Sequence, residues 1–299
     1  MNKKFTSATV AALLAASMAA CGGTSEPETH PAASTTSSTE TTLETTLPSI
    51  IFEETVLVDN EHCTFKITAI EDNSIWGYTL KASLENKTDK DLMFSLSNVS
   101  VNGFMCDPVW AASVSAGMKA NESIRFSDSD FIANSISQVT DIEFTLDVYD
   151  SNDWSAEHLV SDVFSLYPMG EEAVQVYERT AQETDIPLFE DENCTMIVTG
   201  FDPDGTWGYT VNVYLKNKTD KTLMFSVSDA AVNGFMCDPV WAQTVAPGKQ
   251  SNTAIHWFAS DFEENGITEV ETISLPVSVY DANDWMADHL IEETYTLNP

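Results

Sequence analysis

Asp150, Asn152 and Asp153, with Glu157 and His158 just beyond them, recur 131 residues later as Asp281, Asn283, Asp284, Asp288 and His289. Carboxylates and an Asn amide this close together are the donors Ca²⁺ takes, because a hard cation gathers six to eight oxygens. The spacing differs from an EF-hand loop, which needs Gly at the sixth position and Glu at the twelfth. The same residues fit a second role, in which an Asn or Asp caps one helical turn, Trp154 and Leu159 face the core, and His158 is exposed. Catalysis has less support. Neither histidine has a Ser or Cys nearby in a nucleophile motif, and the chain contains no Gly-x-Ser-x-Gly, His-Glu-x-x-His or Gly-rich phosphate loop. The expectation is a protein that is not an enzyme and has no cofactor, Ca²⁺ excepted.

Five cysteines carry further chemistry. Cys63 and Cys106, and again Cys194 and Cys237, are separated by 43 residues. Even pairing in an exported chain predicts one disulfide in each repeat, which would constrain the unfolded chain by about 4 kcal/mol. The alternative is two buried thiols in each core. Cys21 stands apart. It follows Lys3 and Lys4 and an apolar, Ala-rich stretch, in the context Met18-Ala19-Ala20-Cys21-Gly22. That context resembles a bacterial lipobox, whose cysteine becomes the lipidated first residue. Residues 1–20 then read as a lipoprotein signal peptide, too short to remain as a membrane span. Lipid on Cys21 would attach the protein to the cell membrane, with its body on the extracellular face.

Trp110 and its copy Trp241 lie in Asn102-Gly103-Phe104-Met105-Cys106-Asp107-Pro108-Val109-Trp110-Ala111, which returns unchanged at Asn233 to Ala242. Exposed, these rings would be a platform for a sugar or a partner protein. Buried, they would pack beneath the hairpin that carries them, as a Trp does beside a sandwich disulfide.

The elements that position these residues come in two copies. Aligning Asn60–Leu166 on Asp191–Leu297 without a gap gives 51 identities in 107 positions. This predicts two domains, 50–168 and 186–299, joined by a connector at 169–185. Before them, residues 22–49 hold 14 Thr or Ser and almost no large apolar side chain. With Cys21, this segment reads as a disordered stalk, whose 28 residues after the cysteine would span roughly 30 Å. Inside each copy the apolar period is two. Cys63, Phe65, Ile67 and Ala69 alternate with polar residues, and further strands are expected at Tyr78–Leu84, Leu92–Leu96, Ser123–Phe126, Ile142–Tyr149 and Val163–Leu166. Asn102-Gly103 supplies the two positive-φ residues of a type I′ hairpin, with Val99, Val101, Phe104 and Cys106 on its inner face. Helical turns are expected at Asp128–Ala133 and Asp153–Leu159. Seven or eight short strands per copy predict an all-β chain of two tandem immunoglobulin-like β-sandwiches.

Trp76-Gly77-Tyr78-Thr79, Asn86-Lys87-Thr88-Asp89-Lys90, Leu92-Met93-Phe94-Ser95, Val101-Asn102-Gly103, Asp130-Phe131 and Val148-Tyr149-Asp150, with Asp153-Trp154, together resemble a domain common in predicted surface lipoproteins of Gram-positive anaerobes such as clostridia. The resemblance covers both repeats. It implies an immunoglobulin-like sandwich, often in tandem, and carries no functional residues with it.

Charge narrows the partners. With 13 Lys and Arg against 47 Asp and Glu, the net charge is −34, and such a chain lacks the clustered cations that nucleic-acid binding needs. The sequence reads as a cell-envelope lipoprotein whose non-catalytic modules display a binding or adhesion surface for a protein, peptide or glycan. The alternatives are a passive structural spacer of the cell surface and a Ca²⁺-dependent binding module.

Overall fold

The computed structural model describes residues 50, 52–74, 77–153, 155–239, 241–284 and 286–299. The expected signal peptide, Cys21, the expected stalk, Trp154 with its copy Trp285, and Trp76 fall outside the described residues.

The first repeat comprises β1 (Thr55–Asp59), β2 (Cys63–Ser74), β3 (Gly77–Asn86), β4 (Leu92–Val101), β5 (Phe104–Met105), β6 (Ala111–Val114), β7 (Lys119–Arg125), helix α1 (Asp128–Ala133), β8 (Ile142–Asp150) and β9 (Val160–Leu166). The second comprises β10 (Ile186–Glu190), β11 (Cys194–Asp202), β12 (Thr210–Asn217), β13 (Leu223–Val227), β14 (Ala231–Val232), β15 (Phe235–Met236), β16 (Trp241–Val245), β17 (Gln250–His256), α2 (Ala259–Asn265), β18 (Ile273–Asp281) and β19 (Ile291–Leu297). The chain is all-β, in layers consistent with β-sandwich packing. Period-two burial explains this: in β8, Ile142, Phe144, Leu146 and Val148 are fully buried, and the residues between them are not.

Both copies build the same two sheets. One runs β1-β2-β3-β7, matched by β10-β11-β12-β17; the other centres on β4 and β8, matched by β13, β14 and β18. Each copy closes over its own apolar core, one around Phe65, Phe94 and Phe144 and the other around Trp257, Phe225 and Leu275. Asn86 and Asn217 are buried in equivalent places. Each uses its side-chain amide to bond loop carbonyls, Lys90 and Val114 in one copy and Lys221, Val245 and Ala246 in the other. The expected hairpins form: Asn102 and Gly103 have φ of 50° and 79°, Asn233 and Gly234 52° and 82°. A second irregularity falls at Asn98 and Asp229, also at positive φ, where β4 slips register and the equivalent strand breaks into β13 and β14.

The copies are joined through strand pairing. β17 lies parallel to β5 with Gln250 opposite Phe104, so one nine-stranded sheet passes from the second repeat into the first. Gln250 N donates to Gly103 O at 3.0 Å. Met105 crosses over to pack in the core of the second repeat, beneath the Ala246 amide at 3.4 Å. Asn252 donates through its backbone and side chain to Asn134 Oδ1, and Lys249 pairs with Glu143 at 2.9 Å. The connector seals the seam. Tyr177 packs on Phe104 with centroids 4.8 Å apart, while Arg179 lies over Tyr214 and grips Asp185 with two bonds of 2.7 and 2.6 Å. Arg179 holds the Asp185 carboxyl below the usual carboxylate range.

Two expectations are corrected. Cys63, Cys106, Cys194 and Cys237 are free thiols and form no disulfide. Cys63 pairs with Asn86, at the end of the sandwich where β4 begins, whereas the Cys106 amide bonds Val99 O near the end of β4. The seven residue steps from Leu92 to Val99 separate the two ends by about 23 Å at strand rise, far beyond the reach of a disulfide. Cys194 and Cys237 are placed likewise, beside Asn217 and Ala230. The helical turn expected at Asp153–Leu159 is also absent among the described residues. Asp150 and Asp153 accept the backbone N–H groups of Asn152 and Ser155 and hold the segment in successive side-chain turns.

Burial pushes the Cys63 thiol up to about 11 and those of Cys106 and Cys194 up to about 12, and raises Cys237 as well. Folding therefore favours the protonated thiol. The unfolded chain ionises near pH 9 and the native core only above it, so stability falls as pH rises from about 9 toward 12. Alkylation at pH 8 is expected to spare these four cysteines in the native protein and to label all four in denaturant without any reductant. Labelling that requires reductant would restore the disulfides.

Candidate binding site

The carboxylates of the acidic turns are engaged within the chain. Asp150 Oδ2 lies 2.8 Å from Lys90 Nζ, and Oδ1 accepts the Asn152 amide at 3.0 Å. Asp281 repeats this with Lys221 at 2.9 Å and Asn283 at 3.0 Å. Hydrogen bonding to the lysine, then to the backbone, holds both carboxyls below their usual range. Asp153 binds Ser155, and Asp284 accepts the Met286 amide. Among the described residues no three His, Cys, Asp or Glu converge as metal ligands would. His158 stacks on Tyr149 at 5.0 Å and bonds Asp147 at 3.1 Å; His289 stacks on Tyr280 at 4.9 Å. Both histidines therefore brace a strand end.

Trp110 and Trp241 are half-buried against the two cores. Trp110 lies 6.2 Å from Phe65, and the indole nitrogen of Trp241 is buried without a partner among the described residues. Each ring is thus partly covered by the core of its own repeat.

The aromatic surface lies elsewhere, at the α2 end of the second repeat. Trp207 is 65% exposed and Phe258 50%. Gly208 and Ala259, which follow them in the chain, line a hollow of about 570 Å³ together with Phe201, Tyr209, Phe262 and Val270. Gly208, at φ +122°, brings the two rims together: any side chain there would strike the Trp257 carbonyl and the Phe258 backbone. Below them Trp257 is fully buried, edge-on to Tyr209, its Nε1 donating to Cys237 O at 2.8 Å. Glu263 and Glu269 add carboxylates to the wall.

Phe258 occupies the N-cap of α2 and makes no capping bond; its counterpart Ser127 caps α1 by accepting the Ser129 amide. A residue without a cap oxygen costs about 1 kcal/mol at this position. An exposed aromatic thus stands where the capping rule calls for a polar oxygen. Sequence reading passes over Trp207 because its copy Trp76 sits in a strand-like run. The legible signal is the Ser-to-Phe exchange between copies. The arrangement provides ring faces for stacking and carboxylates as acceptors; beside it Thr210 Oγ1 and His256 Nδ1 lie 3.0 Å apart on the neighbouring strands β12 and β17.

No family model matches the chain, and none of the curated proteins does. Among solved structures it is similar to the YadV chaperone, at 13% identity over 73% of this chain and 92% of that one, with a TM-score of 0.23. An exo-chitosanase of Amycolatopsis orientalis is similar at 11% identity over 77% of this chain and 26% of that one, at 0.23. A Porphyromonas gingivalis protein of unknown function is similar at 17% over 82% and 100%, at 0.19. TM-scores this low carry no argument about fold or function.

Proposed function

We propose that this chain is a non-catalytic lipoprotein of the cell envelope, anchored through Cys21 on the extracellular face, whose two immunoglobulin-like sandwiches hold a ligand-binding surface at the end of a disordered stalk. The observation that carries the reading is the hollow of about 570 Å³ whose lining includes Gly208 and Ala259, next in sequence to the exposed Trp207 and Phe258. Its ligand has a flat apolar face, as a sugar ring or a peptide side chain does. A polyanion is disfavoured by the net charge of −34. A second reading, a stiff spacer, is favoured by the sheet that runs unbroken through both repeats.

Phe258→Ser separates the two. It is expected to raise the melting temperature by about 2–4 °C by restoring the cap, and to abolish the stabilisation that a neutral oligosaccharide or peptide from a screened panel gives the parent chain. Trp207→Ala should weaken the same ligand about tenfold or more, the usual scale of an aromatic hot spot. A ligand unaffected by either change sinks the binding surface; a panel without any hit leaves the spacer as the better account. Cys21→Ser is expected to move the protein from the membrane fraction to the medium, and unchanged fractionation would remove the lipid anchor from the proposal.

A further inference from the structure

Within the ten residues shared by both hairpins, the Phe-Met pair occupies opposite environments in the two copies. In the first repeat Phe104 and Met105 are buried in the seam against β17; in the second, Phe235 is 48% and Met236 65% exposed. Their hairpin is otherwise held identically. Asn102 bonds Gln138 O and accepts from Thr140 and Asp141, and Asn233 bonds Glu269 O and accepts from Glu271 and Thr272. Asn265 keeps the pose of Asn134, bonding Asp261 O as Asn134 bonds Asp130 O, yet no donor among the described residues reaches its Oδ1.

The receiving side shows the converse. Ala246 and Gln250 are buried, whereas their first-repeat counterparts Ser115 and Lys119 are exposed, as are Met118 and Asn121. β7 is the terminal strand of its sheet and β15 of its own. The seam is asymmetric, with a hairpin given by one copy and a strand edge offered by the next, so it leaves one unmatched hairpin and one unmatched edge on each chain.

We propose that the occupant of the exposed Phe235–Met236 hairpin is a second copy of this chain, docked head to tail through β7 as β17 docks on β5. Continuity with the internal seam fixes the pairing. Gly234 O would take the Lys119 amide, Met236 would lie toward Ser115, and Asn265 Oδ1 would receive Asn121. Glu269 and Glu271 border the hairpin, and Lys119, whose Nζ pairs with Glu85 at 3.1 Å, stands at the receiving edge. The contact is heterologous and does not close, so it builds chains of copies, not closed pairs. It is weaker than the internal seam, because Tyr214 and Gln250 are replaced by Ser83 and Lys119, and net charge opposes it until salt screens the repulsion.

The test is mass by sedimentation of the full chain carrying Cys21→Ala, which removes any acyl group, from roughly 10 µM to roughly 1 mM, where weak interfaces declare themselves. At high salt, mass is expected to climb past two chains with concentration, and to climb less at low salt. Phe235→Asp/Met236→Asp, at exposed positions, should keep the parent melting temperature and remain at one chain. Lys119→Pro, which removes the receiving amide at a strand start, should do the same alone, and mixing the two variants should give mass for two chains and no more. A parent that stays monomeric throughout, a mass that stops at two, or association surviving Phe235→Asp/Met236→Asp would each overturn the proposal.

Discussion

Trp257→Ala is expected to destabilise the second repeat by about 3–5 kcal/mol, the cost of emptying a fully buried aromatic site. Trp257 has no exposed surface, and its Nε1 satisfies the Cys237 carbonyl at 2.8 Å. The substitution therefore adds a cavity to an orphaned acceptor. Trp257→Phe should cost only about 1–2 kcal/mol, because the first repeat already fills the matching position with Phe126, edge-on to Tyr78 at 6.0 Å. Thermal melts of both variants check this. At roughly 2–4 °C per kcal/mol for a unit of this size, Ala should lower the transition by about 6–20 °C. Equal shifts for Ala and Phe would mean that the indole hydrogen bond, not the ring, carries the effect.

Met105→Ala and Met236→Ala remove the same side chain from the same ten-residue context, and their costs are expected to differ widely. Met105 is 8% exposed and packs in the core of the neighbouring repeat, so its loss should cost about 2–4 kcal/mol. Met236 is 65% exposed, and its loss should fall within about 0.5 kcal/mol of neutral. Because Met105 bridges the two cores, its removal should also split the unfolding transition, as one cooperative unit becomes two. Denaturant melts of the two variants settle both points. Equal costs would remove the seam from the account.

Local chemistry made much of this fold legible. Asn-Gly announced both hairpins because few residue pairs accept two positive φ angles. Alternation placed Val99, Val101, Phe104 and Cys106 inward, where they are found, and Asp128–Ala133 forms the expected helix. What failed depends on distance or on neighbours. Cys63 and Cys106 both face a core, but a strand pattern gives facing and not position along the sandwich, so it cannot tell opposite ends from bonding distance. The pairing of Asp150 with Lys90 was out of view in the same way, because the two lie 60 residues apart. Identical sequence cannot reveal that one hairpin is covered and the other bare, since Gln250, Ala246 and Asn252 decide that from the opposite repeat. The site itself was least visible: only the close approach of Gly208 to the Trp257 and Phe258 backbone brings the segments of Trp207 and Phe258 together.

The seam between the repeats is tested most directly by limited peroxide oxidation of the native chain, with sulfoxide at each methionine followed by mass spectrometry. Oxidation tracks access of the oxidant to the thioether. Met236 should oxidise at least about tenfold faster than Met105 in the native protein, and the two should oxidise at the same rate in denaturant, where their flanking sequences are identical. Equal native rates for Met105 and Met236 would contradict the account, because the two repeats would then present their hairpins alike.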